Sequence, residues 1–122
     1  MKNNKYKILV LSDLKKSTST TLKTAVSLAK MIDGDIELFY VKKPIDIVEK
    51  ENQLSAIRTI NEIHTLTRKK IEKLINSISE EYEMNIRYSF TFGNIKNEIS
   101  NRIKKVNPDI IVLGKKSKSS IS

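Results

Sequence analysis

The stretch from Asn107 to Gly114, which reads NPDIIVLG, decides the fold of this chain. Asn107 and Pro108 stop a preceding helical pattern, because proline disfavours helical backbone in the residue before it. Ile110 to Leu113 is then a short, wholly apolar run that ends at a glycine. Such a run predicts a buried strand, as expected in a parallel sheet.

Three earlier segments have the same strand-like character. Lys7 to Leu11 is an apolar run closed by Ser12 and Asp13, and Ile36 to Val41 makes a second strand. Ile86 to Phe92 alternates apolar and polar residues well enough to be a third. Together with the stretch before Gly114, the sequence predicts four strands.

Helical patterns fill the intervals between these strands. The first runs from candidate N-caps at 17–21 to about Ile32, and Gly34 is expected to adopt the left-handed conformation that ends it. The third follows Gly93 and Asn94, with Ile95, Ile99, Ile103 and Val106 expected to face the core.

The second and longest helical pattern spans Glu49 to Glu83. Its apolar residues predict one continuous buried stripe, and their early spacing of three predicts a kink or a break near Thr65 to Thr67. The stripe consists of Leu54, Ile57, Ile60, Ile63, Leu66, Ile71, Leu74, Ile75 and Ile78.

The order β-α-β-α-β-α-β predicts an α/β fold, in which an open parallel sheet is covered by helices on both faces to give a three-layer sandwich. In such sheets ligands bind beyond the carboxyl ends of the strands, where the strand order reverses. That rule alone selects Asp13, Val41, Gly93 and Gly114 as candidate site residues.

Composition limits the function classes. The 122 residues predict a single domain, and the absence of cysteine excludes disulfides and thiolate metal sites. No apolar run reaches membrane-spanning length and the N-terminus lacks the layout of a signal peptide, so a cytoplasmic protein is expected. The net charge of +9 comes from lysines dispersed along the chain without interleaved aromatic residues, so nucleic acid is not expected as a partner.

These motifs together resemble the universal stress protein family. The resemblance is carried by Ile8 to Asp13 before a Ser/Thr-rich helix start, by the strand ending at Val41, by Gly93 with Ile99, and most specifically by Asn107 to Gly114. It covers 1–122 as one domain that stops before the family's last helix and strand. It implies the adenine nucleotide alpha hydrolase-like fold, with strand order 3-2-1-4 and the fifth strand absent.

The resemblance also implies a site for ATP or another adenine nucleotide. In nucleotide-binding members an aspartate after the first strand contacts adenosine, which matches Asp13, and backbone groups at the end of the second strand read the adenine edge, which matches Val41. A glycine-rich loop after the fourth strand holds ribose and phosphates. Here Gly114 opens that loop, but Ser117 stands where its second glycine belongs.

Two functions from different classes therefore remain open. One is a stress-response domain with an adenine nucleotide site at Asp13, Val41, Gly114 and Ser117. The other is a domain of the same fold that binds no nucleotide and acts by dimerisation or protein interaction.

The edge strand at Ile110 to Leu113 predicts the interaction surface, because an uncovered apolar edge promotes pairing with another chain. The expected partner is a second copy, or a tandem domain if 1–122 is part of a longer protein. No set of residues assembles a nucleophile, a base and an oxyanion donor, so no enzyme activity is expected. His64, the sole histidine, has no second ligand residue at helical spacing beyond Glu62, and no metal site is expected.

Overall fold

The computed structural model describes residues 5–15, 17–43 and 53–114, with the side chains of the last range described from Ile57 onward. Four strands and three helices alternate in this part of the chain. They are β1 (Tyr6–Ser12), α1 (Thr18–Ile32), β2 (Gly34–Lys42), α2 (Gln53–Tyr82), β3 (Ile86–Phe92), α3 (Ile95–Val106) and β4 (Ile110–Leu113).

The strands form one parallel sheet in the order β3-β2-β1-β4, so the predicted fold and strand order are confirmed. The chain proceeds outward from β1 through β2 to β3 and then returns to place β4 on the other side of β1. The point where the order reverses therefore lies between β1 and β4. Their register pairs Ile8 with Ile110 and Leu11 with Leu113, so both strands end at the same edge of the sheet.

The sheet separates two apolar clusters of unequal size. Side chains alternate across a strand, so Ile8 and Val10 face one side while Leu9 and Leu11 face the other. The larger cluster packs the first side against α1 and α2. The smaller one consists of Leu9, Leu11, Phe39 and Val41, with Ile99 and Ile103 of α3 packed against it. This arrangement gives the three predicted layers, with a single helix on the second face of the described sheet.

The turn between α1 and β2 differs from the prediction. Asp33, not Gly34, takes the left-handed conformation (φ 59°) that ends α1, and its N–H donates to the carbonyl of Ala29. Gly34 instead begins β2, where a Cβ would lie 2.7 Å from Cδ1 of Ile8. Close packing, and not backbone freedom, therefore requires the glycine.

The structure also differs from the predicted break in α2 and from the predicted burial of β4. α2 is uninterrupted from Gln53 to Tyr82, so the predicted break near Thr65 to Thr67 is absent. Among the described side chains of its apolar stripe, only members of the second half are buried: Ile71 is fully enclosed, whereas Leu66 is 66% exposed. The side chain of Leu54 lies outside the described ones. β4 was predicted to be buried, but none of its residues is, and Leu113 is 68% exposed.

α3 lies on the sheet through fewer apolar contacts than predicted. Ile99 and Ile103 pack against the smaller cluster as expected, but Ile95 is 41% exposed. The helix begins at Asn94, whose Oδ1 accepts from the N–H of Asn97 at 3.0 Å, as an N-cap does. No residue of α3 is buried. The ion pair between Arg102 of α3 and Glu37 of β2 therefore contributes to the position of the helix.

Candidate functional site

A cleft of about 750 Å³ opens at the carboxyl ends of β1, β2 and β4, on the face of the sheet that carries α3. Asp13, Val41 and Gly114, which the switch-point rule selects, all line it. The rule also selected Gly93, which does not line the cleft. Ser117 lies outside the described residues.

The interior of the cleft is apolar and its mouth is charged. Its apolar walls come from the strand ends and the first turns of α3, and its charged groups come from the loops just beyond. The apolar lining residues are Leu11, Phe39, Val41, Ile95, Ile99 and Leu113; the charged ones are Asp13, Lys15, Lys42 and Lys43. A flat apolar ring with an anionic substituent fits this distribution.

The loop after β1 is held by two hydrogen bonds from backbone to side chain. The N–H of Leu14 donates to Oγ of Ser12 at 2.8 Å, and the N–H of Lys15 donates to Oδ1 of Asp13 at 2.9 Å. Leu14 consequently adopts a left-handed conformation (φ 60°), which is uncommon for a residue with a side chain. Because these bonds fix the loop, the exposed carboxylate of Asp13 is presented to the cleft in a defined position.

Tyr40 borders the cleft beside this carboxylate. Burial and, second, the negative charge of Asp13 raise the pKa of the Tyr40 hydroxyl above its ordinary value. Tyr40 therefore remains protonated at neutral pH and keeps its hydroxyl as a hydrogen-bond donor.

The end of β2 offers a backbone acceptor to the cleft. The N–H of Gly93 donates to the carbonyl of Lys42 at 3.0 Å, which directs the peptide groups of Lys42 toward β3. Because strand residues alternate in this respect, Val41 directs its carbonyl toward β1. The pairing of β1 with β2 ends at Ser12 and Tyr40, and the N–H of Leu14, which would continue the ladder, donates to Ser12 instead.

Gly114 differs from the other two glycines of the chain. Gly34 is required by packing against Ile8, and Gly93 has φ 154° with a Cβ position 2.8 Å from Oε2 of Glu98. At Gly114 a Cβ would meet nothing closer than Oγ1 of Thr21 at 3.4 Å, which is ordinary contact. Among the described residues, no close contact therefore requires a glycine at this position.

The sequence did not predict that three lysines line this cleft. Lys15, Lys42 and Lys43 were grouped with a dispersed lysine surface, whereas the fold brings them to one cleft. A signal was present, because Lys42 and Lys43 directly follow Val41 and Lys15 lies two residues after Asp13. Among the described residues no group of histidines and carboxylates could hold a metal ion. Nor is any helix in those ranges long and apolar enough to cross a membrane.

Comparison with known proteins agrees with this architecture. The sequence profile of the Universal stress protein family matches residues 6–122. No curated protein matches the chain by sequence. The chain belongs to the universal stress protein family.

Solved structures show the same fold. The universal stress protein UspA from Lactobacillus plantarum is 17% identical, with a TM-score of 0.74 over 98% of this chain and 86% of that one. A universal stress protein from Archaeoglobus fulgidus is 15% identical, with a TM-score of 0.66 over 94% and 80%. A universal stress protein in complex with cAMP is 12% identical, with a TM-score of 0.58 over 88% and 70%.

Proposed function

We propose that this chain is a stress-response domain that binds an adenine nucleotide in the cleft between β1 and β4. The observation that carries the proposal is the convergence of Asp13, the Val41 backbone and Gly114 on that one cleft. The solved relative in complex with cAMP supports the choice of an adenine nucleotide.

Each group has a role that suits this ligand. The apolar walls formed by residues such as Leu11 and Ile99 would enclose the adenine ring. The Val41 carbonyl would accept a hydrogen bond from the exocyclic amine, and the carboxylate of Asp13 would accept from ribose hydroxyls. Gly114 would let its backbone approach the sugar or phosphates without a Cβ in between.

The chain is proposed to bind and not to turn over its ligand. Asp13 is the only carboxylate among the described residues that line the cleft. No described serine, threonine or histidine in the cleft forms a hydrogen bond with it, so a pair of nucleophile and general base is absent from this part of the site. Purified protein should therefore release no phosphate from ATP above a no-protein control. Multiple turnovers that disappear in an Asp13→Asn variant would overturn this part of the proposal.

Gly114→Ala and Gly34→Ala form a matched pair that tests the cleft. Gly114→Ala is expected to change the free energy of unfolding by less than about 0.5 kcal/mol, because its Cβ meets only ordinary contacts. It should weaken ATP binding about tenfold, equivalent to about 1.4 kcal/mol, because Gly114 lines the cleft and a methyl group would restrict the approach of its backbone to the ligand. Calorimetric titration and chemical denaturation measure the two quantities.

Gly34→Ala should show the opposite pattern. Its Cβ would lie 2.7 Å from the buried Cδ1 of Ile8 and 3.3 Å from the carbonyl oxygen of Tyr6, so a loss of stability of about 2 kcal/mol is expected. The ATP affinity of the folded protein should not change, since Gly34 begins β2, away from the cleft. A Gly114→Ala protein that binds ATP as tightly as the wild type would remove Gly114 from the site.

A second candidate function is self-association through the free edge of β4. Ile111 and Leu113 are 41% and 68% exposed on this edge strand, which pairs only with β1 among the described strands. A second copy of the chain would supply the missing pairing and cover both side chains.

Ile111→Lys tests this edge. A charge on an exposed edge strand blocks pairing, so light scattering should change from dimer to monomer while the far-ultraviolet circular dichroism is retained. Lys104→Ala, on the exposed side of α3, serves as the control and should leave the mass unchanged. A wild-type protein that is monomeric at high micromolar concentration would exclude this function.

A further inference from the structure

We infer that the lysines at the mouth of the cleft, and not a glycine-rich loop, provide most of the affinity for phosphates, so that the site selects nucleotides by their number of phosphate groups. This inference rests on the proposed function and adds to it the ligand class, a nucleoside polyphosphate. The residues concerned are Lys15, Lys42 and Lys43.

These three lysines stand at the ends of two different strands. Lys15 lies in the loop fixed after β1, while Lys42 is the last residue of β2 and Lys43 follows it. All three line the same cleft. Two loops from different parts of the chain therefore bring positive charge to the mouth of one cleft.

The lysines have no competing partners within the described ranges. The ion pairs there involve Lys5, Lys23 and Arg102, and none involves Lys15, Lys42 or Lys43. Among the described residues that line the cleft, Asp13 is the only acidic one, and it stands against three lysines. Within this part of the chain no salt bridge neutralises the three ammonium groups, which leaves them available to an anionic ligand.

The backbone offers phosphates less than a glycine loop would. Among the described residues that line the cleft, Gly114 is the only glycine. Its N–H already donates to the carbonyl of Leu11 at 3.3 Å, so it is committed to the β-ladder. Charge on side chains is consequently the main phosphate-binding resource that the described cleft contains.

This mode of recognition has a measurable signature. Point charges on flexible side chains act through screened electrostatic attraction, which grows with ligand charge and falls with ionic strength. If backbone N–H groups bound a single phosphate, the second and third phosphates of the ligand would increase the affinity less. Affinity should therefore rise along the series adenosine, AMP, ADP and ATP.

The test titrates the whole chain with these four compounds and with inorganic tripolyphosphate, in magnesium-free buffer at low and at moderate salt. ATP is expected to bind roughly thirtyfold more tightly than adenosine at low salt, because each exposed charge pair contributes a factor of a few. Moderate salt should remove most of that difference without altering adenosine binding. Tripolyphosphate alone should bind much more weakly than ATP.

A triple variant identifies the source of the effect. Lys15→Ala, Lys42→Ala and Lys43→Ala together should weaken ATP binding about thirtyfold and adenosine binding less than twofold. A triple control removes the same charge elsewhere, at the exposed positions Lys69, Lys73 and Lys104, and should leave both affinities within about twofold. Melting curves establish that both variants are folded.

The outcomes separate this inference from the function on which it rests. Equal affinities for adenosine and ATP, or equal losses in the two triple variants, would overturn the lysine mechanism and leave the adenine site standing. Tripolyphosphate that binds as tightly as ATP would overturn the adenine site. The absence of binding by every compound at millimolar concentration would overturn both.

Discussion

Arg102→Met is expected to lower the free energy of unfolding by about 3 kcal/mol, because it leaves the carboxylate of Glu37 buried without a counter-ion. Glu37 lies in the middle of β2 on the α3 face and is 5% exposed. Its Oε2 accepts from Oγ of Ser89 at 2.7 Å and from the guanidinium of Arg102. Urea denaturation measures the loss.

This ion pair connects α3 to the sheet. The guanidinium of Arg102 also lies over the ring of Phe39, 5.7 Å from its centroid, and Phe39 lines the cleft. No residue of α3 is buried. The helix is therefore held on the sheet by this ion pair and by the half-buried side chains of Ile99 and Ile103. The position of one wall of the cleft therefore depends on Arg102.

A double substitution and a control define the origin of the effect. Glu37→Gln together with Arg102→Met removes both charges and keeps an acceptor for Ser89, so most of the lost stability should return, to within about 1 kcal/mol of the wild type. The recovery is expected because Nε of Arg102 is buried without a hydrogen-bond partner among the described residues, which makes the pair incompletely satisfied. Lys105→Met, an exposed cation on the same helix, should cost less than about 0.5 kcal/mol. A double variant as unstable as Arg102→Met would mean that buried charge is not the cause.

Ile71→Ala in α2 is expected to cost about 3 kcal/mol of stability, because it removes a fully enclosed side chain and leaves a cavity in the larger core. Leu66→Ala, in the same helix, should change stability by less than about 0.5 kcal/mol, since Leu66 is 66% exposed. Thermal and urea unfolding compare the two.

The pair discriminates between the observed packing and the continuous stripe that the sequence predicts. Under that prediction Leu66 and Ile71 are equivalent core residues and their substitutions cost similar amounts. If both substitutions lowered the free energy of unfolding by about 2 kcal/mol or more, Leu66 would be a core residue, which would contradict the observed packing of α2.

Much of the fold was predictable from the sequence because it depends on local patterns. The apolar runs at 8–11 and 110–113, and the alternation of strand and helix, suffice for a parallel sheet. The reversal of strand order then places Asp13 and Gly114 at one edge, and the structure does bring them to one cleft.

Features that depend on neighbours from distant parts of the chain were less predictable. Leu66 has the composition and spacing of a core residue, but periodicity does not reveal how much of a 30-residue helix has a sheet beneath it. Likewise, nothing near Gly34 in sequence indicates that Ile8 would fill the space of its Cβ. The buried ion pair joins residues 65 positions apart, a separation that no local pattern reports.

The lysines of the cleft illustrate the same limit for function. Along the chain Lys15 and Lys42 lie among many other lysines and suggest only a solvated surface. They become neighbours at one cleft because the parallel register brings the ends of β1 and β2 together. Charge that the fold concentrates in one place is dispersed in the sequence.

The most direct test of the central claim is an amide chemical-shift titration of the isotopically labelled chain with ATP. An adenine nucleotide in the cleft should shift the amide signals of Asp13, Val41, Lys42 and Gly114, while those of residues in the larger core, such as Ile75 and Ile78, stay in place. Shifts confined to another surface, or none at millimolar ATP in a folded protein, would contradict the proposed site.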